Sequence, residues 1–231
     1  MTNKINRAVL SSIRKSTWTL KTRKHQRIIR KFADKIGMIY FGYVNQHTDD
    51  HKVIGGFTVS SSHHDDHFCI GSIGGYSVSL VERSDGAWQK DGSICVYNWL
   101  IMAFDLSASR DVIQFFLQAK NHNEKQFNNM FLLNPNIKKV ELGTFEDYSP
   151  EFTNRFDFYA NVADSIELQR LFPASTARVI GAHFWPLSIE QKDNVLYLYA
   201  DAKNLSENLL ATMLENGLWL TGHIDNRIEN I

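Results

Sequence analysis

Ile94-Cys95-Val96-Tyr97-Asn98-Trp99-Leu100-Ile101-Met102-Ala103-Phe104-Asp105 is the stretch whose reading decides the fold. Side chains alternate between the two faces of a strand. Ile94, Val96, Leu100, Met102 and Phe104 fall on one face; Cys95, Tyr97, Trp99, Ile101 and Ala103 fall on the other. Both faces are apolar, so the spacing predicts a central strand covered on both sides. Trp99 to Phe104 is the longest purely apolar run here, far below the roughly 18 residues of a membrane-spanning helix.

Working outward, segments 39–44, 53–60, 67–73 and 76–83 are rich in β-branched and aromatic residues and read as strands. Turn-forming material separates them at 45–50, 61–66, 74–75 and 84–92. Gly74-Gly75 suits a two-residue hairpin, whose centre needs positive φ. Short connections imply antiparallel neighbours.

Upstream, residues 20–36 read as a helix. Ile28, Ile29, Phe32 and Ile36 recur at helical spacing with His25 on the same side, and Gly37 stands at the capping position. A less regular pattern predicts an earlier helix near 5–15. Downstream, 112–118 reads as a strand and 124–133 as a helix, with a break at Asn134-Pro135-Asn136. Ser149-Pro150-Glu151 has the form of a helix start with Ser as N-cap. A strand at 155–160 and a capping box at Asp164 and Glu167 follow. Helices to 171 and over 175–182, a strand pair at 187–191 and 195–200, and a last amphipathic helix from about Ser206 complete the reading. This predicts an α+β fold: an N-terminal basic helix (1–37), then an antiparallel sheet and a smaller mixed helix–strand half (38–231), with a subdivision near 134–148 as an option.

The chain carries 25 Lys+Arg and 25 Asp+Glu over 231 residues. The balance is uneven. Eleven of the basic residues and a single acid, Asp34, lie in residues 1–36. That segment is strongly cationic and the remainder equally acidic, which points to an anionic partner for the first. Arg23, Lys24, Arg27, Arg30 and Lys31 are the candidate partner-binding residues. An acidic protein surface, anionic lipid and nucleic acid are the three partner classes, and self-association stays open. The competing reading is a helix docked by its apolar stripe with a solvated basic outer face. The two Cys are far from any C-x-x-C pattern and read as reduced thiols. Ala8-Val9-Leu10 is too short for a signal-peptide core, so the expected compartment is the cytoplasm.

Histidine is the unusual residue. In Ser60-Ser61-Ser62-His63-His64-Asp65-Asp66-His67 an extended course would place His63, Asp65 and His67 on one face, a first shell for zinc or iron. No cofactor is required by the sequence. A second group, His47-Thr48-Asp49-Asp50-His51, lies in another loop. If 53–60 is a strand, its length of roughly 26 Å keeps the two groups apart. A metal-dependent hydrolase at His63, Asp65 and His67 is therefore the alternative to a non-catalytic binding or assembly module. Each group also fits a polar turn. Cys69, two residues past His67, reads as a buried small side chain more readily than as a nucleophile.

Met38-Ile39-Tyr40-Phe41-Gly42, Gly56-Phe57-Thr58 through His63 and Asp66-His67, and Gly75-Tyr76-Ser77-Val78-Ser79-Leu80-Val81 resemble uncharacterised bacterial proteins of about this length. Tyr148-Ser149-Pro150-Glu151-Phe152 with Arg155-Phe156, and Leu209-Leu210, Met213-Leu214 and Gly217-Leu218, resemble the soluble part of a bacterial, membrane-associated domain family of unknown function. The resemblance spans about 38–225. It implies a bacterial α+β protein and carries over no catalytic residue.

Overall fold

The computed structural model describes residues 20–43, 54–58, 63–88, 93–108, 112–120, 127, 131, 134–142 and 147–229. The predicted helix near 5–15 and the His47–His51 group lie outside these residues. So does all of 124–133 except Phe127 and Phe131, which have helical backbone.

Helix α1 (Leu20–Ile36) forms as predicted. Gly37, at φ 79°, ends it, and the Met38 N–H reaches back to the Ala33 carbonyl at 2.9 Å. That is the left-handed cap that glycine supports without strain. Strands β1 (Ile39–Gly42), β2 (His64–Ile73), β3 (Tyr76–Trp88) and β4 (Ile94–Asp105) follow as an antiparallel meander. Gly74 and Gly75, at φ 60° and 89°, make the predicted hairpin turn between β2 and β3.

Next come β5 (Phe115–Ala119), β6 (Lys138–Val140), α2 (Pro150–Arg155), β7 (Phe156–Ala160), α3 (Ser165–Leu171) and α4 (Ala174–His183). Strands β8 (Ser188–Lys192) and β9 (Val195–Asp201) and helix α5 (Glu207–Glu229) close the order. Ser149 caps α2, accepting from the Phe152 N–H, with Pro150 opening the helix as predicted. Asp164 precedes α3 but makes no side-chain cap bond, so the capping-box reading there fails.

Among the described residues the strands form one nine-stranded sheet in the order β1-β2-β3-β4-β9-β8-β5-β7-β6. The second half therefore extends the first sheet edge to edge and does not pack on it as a separate layer. The join is β4 with β9, where Trp99–Asp105 pair with Val195–Asp201.

β4 is an interior strand with a core on each face. Leu100, Met102 and Phe104 join Leu196 and Leu198, sealed by Ile29, Phe32 and Ala33 of α1 and by Leu210, Met213 and Ile224 of α5. Trp99, Ile101 and Ala103 join Val81, Phe116, Tyr197 and Tyr199 on the opposite, aromatic face. There Ile54 and Phe127 pack against the sheet.

One strand prediction and two turn predictions are corrected. Residues 54–58 are bends and turns, with Gly56 at φ 92°, so the 26 Å spacer does not exist. The polar residues His64, Asp65 and Asp66 belong to β2 and not to a turn. β3 continues through Glu82-Arg83-Ser84-Asp85 to Trp88, where 84–92 was expected to turn. Pairing along its whole length with β4 outweighs the weak intrinsic strand preference of those residues.

Candidate functional site

The described part of the charged opening segment is a docked helix. Ile29 and Ala33 are fully buried, and Phe32 and His25 nearly so. Arg23, Lys24, Arg27, Arg30, Lys31 and Lys35 are exposed on the outer side. Lys31 reaches Glu207 of α5 at 2.7 Å in an exposed pair. After the two-residue turn, β1 occupies the sheet edge and leaves Ile39, Phe41 and Tyr43 more than half exposed. Tyr40, between them, turns inward to the α1 side. The β1–β2 register shifts between Tyr40 and Gly42, and Phe41 packs against Phe68 while Tyr43 packs against His64.

The histidine-rich segment behaves differently from its sequence pattern. The β2–β3 register is interrupted between Asp66 and Cys69, and His67 sits in the bulge at φ 58°. Asp65 pairs with Arg83, whereas His67 lies toward Glu82, its Nε2 at 3.8 Å from Oε2. Arg83 and Glu82 are adjacent in β3 and so face opposite sides. The structure therefore does not bring Asp65 and His67 together, because the bulge resets the alternation. His63 is half-buried at the start of β2. Among the described residues no group of three or more His, Cys, Asp or Glu side chains is arranged to hold a metal ion.

Two buried polar clusters take the place of the expected triad. On the α1 side, His25 Nδ1 lies 2.8 Å from Glu82 Oε1, and Tyr40 Oη lies 2.8 Å from His67 Nδ1. Burial holds the His67 imidazole below its usual range, opposed by the Glu82 carboxylate. Cys69 is fully buried, and burial pushes its thiol up to about 12, which removes it as a nucleophile at neutral pH.

On the aromatic face, the Arg83 guanidinium donates from Nε and Nη2 to the two oxygens of Asp65 at 2.6 and 2.7 Å. It also donates to Thr58 Oγ1 at 3.0 Å and to the Ile54 carbonyl at 2.8 Å. Glu190 accepts from the Phe57 N–H at 2.8 Å and from the Tyr199 hydroxyl at 2.5 Å. Arg83 and Glu190 therefore both grip residues 54–58. Gly56 is required there: a Cβ would collide with the Tyr199 hydroxyl, and its φ is positive. Burial raises the Glu190 carboxyl to about 7 despite the Tyr199 and Phe57 hydrogen bonds. Arg83 and Glu190 are sealed from solvent, so this centre clamps a loop over the sheet and offers no open reaction site.

Sequence reasoning missed Arg83, Glu82, Glu190 and Tyr199. The available signal was the pairing of β2 with β3 across Gly74-Gly75. Continued back along the hairpin, it sets an acidic cluster opposite Glu82-Arg83.

A small, shallow cleft of about 40 Å³ opens at the end of β9, lined by Trp99, Phe127, Ser188, Tyr199, Asp201 and Asn204 among others. Among the described residues no helix is long and apolar enough to cross a membrane.

No protein-family model matches the sequence, and no curated protein matches it. Among solved structures, the crystal structure of the mycobacterial trehalose monomycolate transport factor A, TtfA, is similar, with a TM-score of 0.55 at 10% identity. The match covers 89% of this chain and 95% of that one. At that identity the likeness establishes a shared fold.

Proposed function

We propose that the chain is a non-catalytic docking module that seats on the anionic headgroup layer of a bilayer, through the outer face of α1 and the adjoining β1 edge. One observation carries this reading. A helix whose inner stripe is locked into the core holds six exposed cations outward, and the sheet edge that follows it carries exposed Ile39, Phe41 and Tyr43. Cations near an anionic surface gain electrostatic attraction, while aromatic and aliphatic side chains enter the interfacial zone. Nucleic acid fits less well: the apolar strip has no counterpart on a phosphate backbone. The protein of similar fold is described as a transport factor for trehalose monomycolate, and an accessory role in transport accords with a docking module. The hydrolase reading gains nothing from the positions of Asp65 and His67.

Sedimentation with vesicles tests it. Vesicles of phosphatidylcholine plus phosphatidylglycerol should bind the chain, with binding lost at high salt; phosphatidylcholine alone should not. Lys24→Gln and Arg27→Gln should each weaken binding about fivefold, the effect of removing one cation near the surface. Equal binding to both vesicle types, or tighter binding to duplex DNA than to the anionic vesicles, refutes the proposal.

A further inference from the structure

The two halves of α1 are held to the sheet by different means. In the second half, Ile29 and Ala33 are fully buried and Phe32 nearly so. In residues 23–28 only His25 is buried; Ile28 is half-buried and the others are exposed. His25 Nδ1 lies 2.8 Å from Glu82 Oε1. The first turns of the helix thus rest chiefly on one imidazole and one carboxylate of β3.

The same carboxylate faces a second imidazole. His67 is 7% exposed, and its Nε2 lies 3.8 Å from Glu82 Oε2, beyond hydrogen-bond length, with no partner among the described residues. Its Nδ1 meets the Tyr40 hydroxyl of β1 at 2.8 Å. The ring is placed by the bulge in β2, where the His67 backbone is left-handed at φ 58°. Burial opposes a proton on His67, Glu82 and Asp66 favour one, and His25 across the carboxylate opposes it; the imidazole is held below its usual range. Of the other charged groups of α1, Arg30 faces Tyr40 and Asp34 faces Cys69.

A neutral imidazole has one donor and one acceptor nitrogen, whereas an imidazolium has two donors. A proton on His67 therefore adds a positive charge beside a carboxylate already engaged by His25. Glu82 reaches Nε2 only by moving about 1 Å, since a charge-assisted bond is roughly 2.8 Å long. That movement draws it away from His25. If Glu82 stays, a cation is buried without a hydrogen bond, which is strongly unfavourable until water enters. Both courses loosen the seat of the first turns and leave the apolar anchors of the second half in place.

We propose that His67 is a proton-operated release for the start of α1: on acidification residues 23–28 lift from the sheet while residues 29–36 stay docked. Arg23, Lys24 and Arg27 ride on the part that lifts, so acid reshapes the surface assigned above to docking. That consequence rests on the lipid reading; the release itself does not.

The test is amide hydrogen exchange of the full chain without lipid, corrected for the intrinsic pH dependence. From about pH 7.5 to about pH 5, protection of residues 23–28 should fall about tenfold, within the roughly 30-fold ceiling for a group that titrates at 6.5 once released. Protection of residues 29–36 should change less than about twofold on the same scale. His67→Asn keeps a polar side chain that tolerates left-handed backbone, and it should abolish the difference. If that variant fails to fold, the parent decides: the His67 ring signals must titrate together with the loss of protection. Unchanged protection of residues 23–28, an equal loss along the whole helix, or a His67 ring that titrates without loss of protection overturns the proposal. So does a folded His67→Asn that responds to acid as the parent does. Vesicle binding is measured separately, so failure of the lipid reading leaves these outcomes untouched.

Discussion

The two faces of the sheet are built on different physics. The helix-covered face around Leu100, Met102 and Phe104 is closed by apolar stripes of α1 and α5, with the His25–Glu82 and Tyr40–His67 contacts at its α1 edge. The other face carries aromatic rings, the Arg83–Asp65 pair, and the buried Glu190 and Tyr199. Three buried polar atoms without partners, Trp99 Nε1, Gln118 Oε1 and Glu190 Oε1, also belong to it. Burial of apolar area is non-directional, so the first face tolerates any well-shaped filling. A buried charge is tolerated only with its partners in place, so the second face depends on specific pairings.

The largest test of the contrast is Arg83→Met. It leaves Asp65 buried without its cation and should lower stability by about 3–5 kcal/mol in chemical denaturation. The double variant Arg83→Met with Asp65→Leu should recover much of that loss. If the single variant is as stable as the parent, the aromatic face does not depend on its ion pair.

Next comes pH. The Glu190 carboxyl is raised from 4.5 to about 7, so the folded state holds this proton more tightly than the unfolded one. Its contribution to stability is therefore greatest below pH 4.5 and declines as pH rises to about 7. The slope is about 1.4 kcal/mol per unit, roughly 3 kcal/mol in all. His67, on the α1 side, works in reverse. Its imidazole is held below 6.5, so stability falls as pH drops below that value. Urea midpoints against pH for Glu190→Gln and His67→Gln should each lose one of these opposed slopes. If neither substitution alters the profile, both assignments are wrong.

The smallest effect belongs to the apolar face. Gly217 of α5 lies so close to β4 that a Cβ would overlap the Phe104 ring. Gly217→Ala should destabilise by about 1–3 kcal/mol through overpacking, with no change in pH dependence. A pH-dependent change would show that the two faces are coupled.

Much of this architecture was legible in the chain. The doubly apolar alternation from Ile94 to Asp105 identified a central strand, and it is fourth of nine. The apolar stripe of α1, the Gly37 cap, the Gly74-Gly75 turn and the Ser149-Pro150 start all read correctly, because each is decided within a few residues. The strand reading at 53–60 and the turn reading at 84–92 failed. Residues 54–58 are held as a turn by Arg83 and Glu190, which are distant in sequence. Glu82 to Trp88 is held extended by β4. For the site, the six exposed cations were visible as a helical pattern, but the exposure of Ile39, Phe41 and Tyr43 was not, since it depends on β1 being an edge.

By itself the sequence determined most of the element types, the Gly37 and Ser149 caps, the Gly74-Gly75 turn, the split between a cationic opening and an acidic remainder, and the two-sided burial of β4. Backbone period and side-chain shape act over a few residues and leave their mark in order along the chain. Only the tertiary structure decided that β9 lies beside β4, that Arg83 is sealed against Asp65, and that a bulge at His67 turns it away from Asp65. Those outcomes depend on which distant strand supplies the hydrogen bonds and the counter-charge, and short-range pattern holds no record of that choice.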